Sequence, residues 1–139
     1  MITYHYQTGF ELEHPSKYTD WIEKCLKSFN ASSGPIEYIF CSDESLLEIN
    51  RQHLNHDYYT DIITFQYEGV PEVSGDIYIS IDRVKENADR FGETFDRELK
   101  RVMIHGILHL LGFKDGTLQE KSEMRSNEDK LMRMFHVKH

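Results

Sequence analysis

Apolar positions recur along this chain with two different periods, and together these periods predict an α+β fold. Alternation at every second residue predicts a strand with one buried face, whereas an apolar stripe with the 3.6-residue helical period predicts a helix. Because one predicted strand follows another between residues 62 and 81, the order favours an antiparallel or mixed sheet over pure βαβ winding. We therefore predict a small mixed sheet with helices mostly on one side. The predicted strands are 2–6, 36–41, 62–67 and 75–81, and the predicted helices are 21–29, 46–53, 82–91, 94–111 and 119–134.

Short polar residues and glycines predict where these elements begin and end. Ser, Thr, Asp and Asn cap helix N-termini by accepting a backbone N–H, and Gly ends helices because it readily adopts positive φ. Residues 31–35 and 68–74 contain Gly and Pro and are predicted to be turns. The predicted helix caps are Thr19 or Asp20, the segment 42–45, Asp82, Thr94 or Asp96, and Thr117, with Gly92 breaking the third helix.

The length and composition predict one domain spanning residues 1–139. No apolar run reaches the roughly 18 residues that a membrane span requires, so no membrane partner is expected. The N-terminal residues are polar and mixed, which does not fit a secretory signal. Cys25 and Cys41 alone do not form a disulfide framework. We therefore expect a cytoplasmic protein.

The formal net charge of -8 limits how this chain can act on nucleic acids. Proteins that coat nucleic acid without sequence preference rely on many Lys and Arg contacts to phosphate, so that class is excluded. An acidic protein can still have a local basic cleft. Any nucleic-acid activity must then come from a defined site rather than from the overall charge.

Two histidines on the predicted fourth helix have the spacing of metal ligands. Residues 102–111 are apolar nearly all round apart from His105 and His109, which lie four positions apart and so on one helical face. Gly112 is predicted to end the helix in a left-handed conformation, and the turn brings Asp115 back towards both imidazoles. Three N/O ligands with an open position are typical of a catalytic metal site. The predicted cofactor is one divalent metal, with zinc first on ligand type and other divalent metals left open by the carboxylate.

The spacing also matches the long zinc-protease pattern H-E-x-x-H-x-x-G-x-x-H, with Asp115 in the third ligand place. In those proteases the residue after the first histidine is the glutamate general base. Here that residue is Gly106, which has no side chain to accept a proton. Peptide cleavage is therefore not our main hypothesis. Either no base is needed at this position, or the base comes from elsewhere in the chain.

Three sequence blocks follow recognisable patterns. Residues 105–115 resemble H-G-x-L-H-L-x-G-[YF]-x-H, and residues 49–65 resemble L-N-x-x-Y-R-x-x-D-x-x-T-D-V-L-S-F. Residues 75–80 match G-D-I-x-I-S. In these patterns the chain resembles the YbeY endoribonucleases, a family also known as rRNA maturation factors, and the blocks occur in the family's order, which makes the resemblance specific.

The resemblance implies a function and a fold. It implies a cytoplasmic, metal-dependent endoribonuclease that acts on single-stranded RNA, with roles in 16S rRNA 3′-end maturation and ribosome quality control. The implied partners are rRNA and a ribosomal subunit or ribosome-associated proteins. The implied fold is zincin-like α+β, with zinc on the central helix. The implied metal ligands are His105, His109 and Asp115, and His105 also counts as a catalytic residue.

Two positions depart from the family pattern. Asp115 stands where the third histidine is usual, and an anionic ligand lowers the Lewis acidity of the metal. Leu54 stands where the family has a functional arginine, and it cannot bind a phosphate as a guanidinium does. Arg51, His56 and Lys114 are the candidates to replace that arginine, and we name Arg51 and Lys114 as catalytic candidates.

Plainer interpretations remain open for several residues. Arg51 on a helix is more often a solvated surface charge. Thr60 and Asp61 end a loop, although Asp61 is also a candidate acceptor for a metal-bound imidazole N–H or a general base. The last helix is predicted to be a solvated face with sparse apolar anchors at Met124, Leu131 and Phe135, and we predict no ligand role for His136 or His139.

Two alternative functions also remain open. The first is a ribosome-assembly factor in which the metal is mainly structural and the loss of the arginine reflects a loss of catalysis. The second is a minimal metallopeptidase, which rests on ligand spacing alone and is opposed by Gly106.

Overall fold

The computed structural model describes residues 1–136, and it confirms the predicted α+β fold. His139 and the side chain of His136 lie outside the described residues. The strands are β1 (Ile2–Tyr6), β2 (Ser32–Cys41), β3 (Ile62–Glu68) and β4 (Glu72–Ser80). The helices are α1 (Pro15–Ser28), α2 (Asp43–Leu54), α3 (Ile81–Phe91), α4 (Phe95–Leu110) and α5 (Leu118–Met132), followed by a 3-10 helix at Arg133–His136.

The strands form one mixed sheet in the order β1-β2-β4-β3, with β3 antiparallel to β4 and the other pairs parallel. Tyr38 and Ile77 are fully buried on the face of the sheet that α1 and α4 cover, and side chains of α3 and α5 belong to the same core. A smaller cluster on the other face contains Leu46 of α2 and Ile63. Burying one such side chain stabilises the fold by about 1.5–3 kcal/mol. The helices therefore lie mostly on one side, as predicted.

Helix α4 is the central buried helix that the sequence predicts. Thr94 caps it by accepting the Arg97 N–H at 3.1 Å. Its side chains Met103 and Ile107 are fully buried. The Tyr38 hydroxyl donates to the Met103 carbonyl at 2.8 Å and so ties α4 to β2. Because α4 is held along its length, the side chains on its remaining face have fixed positions.

The two predicted turns are shorter than expected. Residues 31–35 were expected to form a turn, but Ser32 and Ser33 already pair with Glu72 and Val73 of β4. A register shift between Ser33 and Ile36 accommodates Gly34 and Pro35 within the strand. Because of the same pairing, β4 begins at residue 72, three residues earlier than predicted. Only residues 69–71 then remain between β3 and β4.

Two predicted helix caps are wrong. Helix α1 begins at Pro15, one turn before Thr19, and the Thr19 hydroxyl instead bonds to the Tyr4 hydroxyl at 3.0 Å. Helix α3 is capped by Ser80, which accepts the Arg83 N–H at 3.1 Å, rather than by Asp82. The predicted caps at Thr94 and Thr117 are confirmed, and so are the stop at Gly92 and the positive φ of Gly112.

None of the described helices has the length and apolar character that crossing a bilayer requires.

Both cysteine thiols are buried, which predicts low reactivity in the folded protein. Burial raises the pKa of Cys25 to about 12 and the pKa of Cys41 to about 11. Since the thiolate is the reactive form, Ellman's reagent at pH 8 is expected to react slowly with the native protein and rapidly in denaturing urea. Rapid titration of both thiols without urea would contradict this burial.

Candidate metal centre

His105, His109 and Asp115 converge at the C-terminal end of α4. The two imidazole Nε2 atoms are 3.0 Å apart. The Asp115 Oδ2 atom lies 3.3 Å from His105 Nε2 and 3.5 Å from His109 Nε2. Gly112, at φ 104°, makes the turn that returns the chain towards the helix. The structure thus brings together all three ligands that the sequence predicts.

The second ring nitrogen of each histidine is held by an acceptor. The His105 Nδ1–H donates to Glu128 Oε2 at 2.6 Å, and the His109 Nδ1–H donates to the Phe113 carbonyl at 3.1 Å. A carbonyl can only accept, so Nδ1 of His109 carries the proton and the carboxylate favours the same arrangement at His105. In the neutral rings, both Nε2 lone pairs then face the Asp115 carboxylate.

This donor set fits a divalent cation. Two Nε2 lone pairs 3.0 Å apart, next to a carboxylate oxygen, repel one another unless positive charge lies between them. Tetrahedral ligands at about 2.0–2.1 Å from a zinc ion lie about 3.4 Å apart, close to the two distances from Asp115. Burial lowers the pKa of His109, and the neighbouring His105 lowers it further. His109 therefore favours the neutral form that binds metals.

The three ligand side chains open into a cleft of about 270 Å³. The loop that precedes β3, together with the first residues of that strand, supplies the facing wall. The residues of this wall are Thr60, Asp61, Ile62 and Thr64. A cleft with polar walls and a partly open ligand cluster leaves room for a substrate group beside the metal position.

Glu128 of α5 is a buried part of the centre that the sequence analysis missed. It is 2% exposed, although α5 is predicted to be a solvated face. Its Oε1 atom lies 3.3 Å from Arg101 Nη1, while its other oxygen accepts from His105. Arg101 also hydrogen bonds to buried Glu98. A chain of buried charges therefore fixes the His105 ring.

The Arg101 guanidinium forms ion pairs with both Glu98 and Glu128. Burial lowers the pKa of its guanidinium, but hydrogen bonding and attraction to Glu98, with further attraction to Glu128 and Asp61, outweigh burial and raise it. The sequence carries a signal for both missed residues. Arg101 precedes His105 by four positions, and Glu128 follows the anchor Met124 by four, so each lies on the face that packs inward.

The other sequence-predicted candidates lie outside the ligand cluster. Arg51 is half exposed, and its Nε lies 2.6 Å from Asp57 Oδ1. Lys114 is exposed beside the third ligand, and neither cation is among the residues that line the cleft. His56 is exposed and bonds to the Tyr58 hydroxyl at 3.0 Å. The roles proposed for Arg51 and Lys114 therefore remain predictions.

Asp61 lines the cleft but accepts no hydrogen bond from the two ligand histidines, whose N–H groups go to Glu128 and Phe113. Its Oδ2 atom lies 3.8 Å from Arg101 Nη2 and 3.5 Å from Asn87 Nδ2. Burial raises the pKa of this carboxyl, although Arg101 and His105 oppose the shift. Asp61 is therefore a carboxyl group available at the wall of the cleft.

The packing of α4 against the sheet explains why residue 106 is a glycine. A Cβ at this position would lie 2.9 Å from Ile77 Cγ2 and 3.1 Å from Ile62 Cδ1. Position 106 therefore points at the sheet, and a glutamate there would push α4 away from β4.

Gly106→Ala is expected to lower the free energy of unfolding by about 1 kcal/mol. The overpacking cost of about 1–3 kcal/mol exceeds the gain of about 1 kcal/mol that alanine brings to a helix over glycine. Urea unfolding measures the change. Gly9→Ala is the control, because no atom of the described residues lies within 4 Å of a Cβ at that position. A stabilised Gly106→Ala protein would refute the close contact.

Comparisons with known proteins agree with this architecture. Residues 4–136 match the sequence model of the family described as "Endoribonuclease YbeY". A protein of that name from Flavobacterium psychrophilum is 51% identical over 138 residues, which is 99% of each chain. One from Bacteroides thetaiotaomicron is 51% identical over 116 residues, covering 84% of this chain and 85% of the relative. The solution structure of TM1509 from Thermotoga maritima is similar with a TM-score of 0.67 and 28% identity, covering 97% of this chain and 89% of that chain.

Proposed function

This chain belongs to the endoribonuclease YbeY family, and on that basis we propose that it is a metal-dependent endoribonuclease that cleaves single-stranded RNA. Its proposed role is 16S rRNA 3′-end maturation and ribosome quality control in the cytoplasm, with a ribosomal subunit or ribosome-associated proteins as partners. The whole chain, residues 1–139, would form the single catalytic domain.

One observation carries the proposal. His105 and His109 present their Nε2 atoms 3.0 Å apart, and the Asp115 carboxylate lies 3.3 and 3.5 Å from these two atoms, beside an open cleft. These three side chains would hold the metal, with zinc favoured by the two imidazoles. When bound, a divalent metal supplies Lewis-acid polarisation of a phosphoryl oxygen and lowers the pKa of water or of a ribose hydroxyl.

The chain's own residues would orient the reaction. Glu128 and the Phe113 carbonyl hold the two imidazoles in the tautomer that binds a metal, so the ligands need no rearrangement on binding. Asp61 at the opposite wall is our candidate for the group that accepts the proton from the attacking oxygen. A carboxyl whose pKa is raised by burial is a better base than an exposed one.

Asp61→Asn is expected to lower kcat for RNA cleavage on the order of a hundredfold, because the amide cannot accept a proton. Metal content, measured by elemental analysis, is expected to stay the same, since Asp61 is not a ligand. Asp89→Asn, an exposed acid on α3, is the matched control. A variant with wild-type kcat would exclude Asp61 as the base.

The function is tested with highly purified protein and end-labelled single-stranded RNA. The protein is first stripped of metal and then reloaded with zinc, manganese or magnesium, each in a separate assay. We expect the protein to cleave the RNA internally only when metal is present. We expect no hydrolysis of a peptide substrate under the same conditions. Since Leu54 is 41% exposed at the position of the family arginine, a metal-loaded protein that binds RNA without cleaving it would favour the ribosome-assembly alternative.

A further inference from the structure

A second depression, of about 170 Å³, borders the ligand cleft on its α5 side. It shares Arg101, His105 and Asp115 with the cleft, so the two spaces adjoin at the metal centre. Helix α5 contributes Lys121 and Arg125 to its wall. We call this space the α5 depression. The α5 depression is therefore the surface that a strand leaving the cleft past Asp115 would meet on this side.

Among the described residues, no acidic side chain hydrogen bonds to the ammonium of Lys121 or the guanidinium of Arg125. The Lys121 ammonium donates to the Asp115 backbone carbonyl at 2.9 Å, and this neutral partner leaves its charge intact. The Arg125 side chain is 60% exposed, and its Nε is 3.8 Å from Glu128 Oε1, which is too long for a hydrogen bond. Glu128 is already engaged by His105 and Arg101.

Arg101, the third cation at the depression, is not available in the same way. Its side chain is 15% exposed, and Glu98 and Glu128 hold it on both sides. It stabilises the centre instead of offering free N–H groups. The two cations of α5 are therefore the basic groups with which the depression can meet an incoming anion.

We propose that Lys121 and Arg125 bind phosphate groups of the RNA strand that flank the bond held at the metal centre. This inference rests on the proposed endoribonuclease function. The two residues are four positions apart on α5, so they lie on one face about 6 Å apart along the axis. That arrangement suits neighbouring phosphates of an extended strand, and a guanidinium binds phosphate with paired N–H groups.

The net charge of -8 gives these two cations a large effect on orientation. Phosphates are repelled by most of an acidic surface, so a local pair of cations fixes which side of the metal centre the strand leaves by. The position of the family arginine holds Leu54, and Arg51 nearby is paired with Asp57. On this inference, α5 supplies the positioning charge that helix α2 lacks.

The test measures how RNA affinity depends on salt for metal-loaded protein. The probe is a fluorescein-labelled, 2′-O-methyl single-stranded oligonucleotide, whose integrity is checked on a gel after each titration. Arg125→Gln and Lys121→Gln are each expected to raise Kd roughly threefold to tenfold at low salt. Each is also expected to reduce the slope of log Kd against log salt by about 0.7, and the double variant by about 1.4.

Matched controls separate phosphate binding from indirect effects. Lys130→Gln removes the same charge from α5 outside the depression, and it is expected to leave the slope unchanged. Lys121→Arg keeps the charge and is expected to keep the slope. Elemental analysis of each variant shows whether loss of the bond to the Asp115 carbonyl has disturbed the metal site. Equal slopes for Arg125→Gln, Lys121→Gln and wild type would overturn the proposal, as would an equal loss of slope in Lys130→Gln.

These titrations, together with the cleavage assay on end-labelled RNA, distinguish this inference from the proposed function. If the wild-type protein binds RNA with a slope that the α5 variants reduce, yet cleaves no RNA under any metal, the phosphate sites stand and the endoribonuclease proposal fails. If the protein cleaves RNA and the variants bind as tightly as wild type at every salt concentration, the phosphate sites fail alone.

Discussion

His109→Ala is expected to abolish stoichiometric metal binding and to reduce RNA cleavage at least a thousandfold. The substitution removes one of the three proposed ligand atoms, and the two that remain, on His105 and Asp115, offer too few contacts for a stable catalytic site. Elemental analysis and a gel-based cleavage assay measure the two effects on the same preparation. Because the metal polarises the phosphoryl group in the proposed reaction, both losses must occur together.

The folded state of the variant is part of this test. His109 is partly exposed, and its removal leaves the packing of α4 against the sheet intact, so circular dichroism is expected to match wild type. His53→Ala, an exposed histidine on α2 outside the cleft, is the matched control for the substitution. A folded His109→Ala protein that bound metal at full stoichiometry and cleaved RNA at the wild-type rate would show that the centre lies elsewhere.

The convergence of the three candidate ligands could be predicted from the sequence because their geometry is local. His105 and His109 share one helical face whatever surrounds the helix, and Gly112 permits the turn that brings Asp115 back. Within eleven residues the chain therefore determines where all three candidate ligands lie. The same local character explains the correct caps at Thr94 and Thr117, where each hydroxyl accepts an N–H three residues later.

Two of the errors, in residues 31–35 and at Glu128, arise where a distant segment decides the local structure. Ser32 and Ser33 are strand residues only because β4 pairs with them, and nothing within 31–35 indicates that partner. Glu128 is buried only because α5 docks on α4, where Arg101 and His105 can take up its two oxygens. A carboxylate on a charged helix is usually solvated, so Glu128 on its own gives no reason to predict burial. The one indication in the sequence is that Glu128 lies between the apolar anchors Met124 and Leu131.

Glu128→Ala is expected to lower the free energy of unfolding of the metal-free protein by about 3 kcal/mol, and to weaken metal binding roughly tenfold to a hundredfold. The first effect follows because Arg101 stays buried with one acid fewer, and an incompletely paired buried charge is costly. The second follows because the His105 ring loses the acceptor that holds Nδ1–H and directs Nε2 at the metal.

Two further variants decide whether these effects come from Glu128 itself. Glu128→Gln keeps an oxygen that can accept from His105 but removes the charge that faces Arg101. The loss of metal-binding free energy is therefore expected to be smaller than the loss of free energy of unfolding. Glu123→Ala, an exposed acid on the same helix, is expected to change neither by more than about 0.5 kcal/mol. Urea unfolding and competition with a chelator of known affinity measure the two quantities. If Glu128→Ala behaved like Glu123→Ala in both, the buried carboxylate would have no part in holding His105, and the ligand geometry would depend on α4 alone.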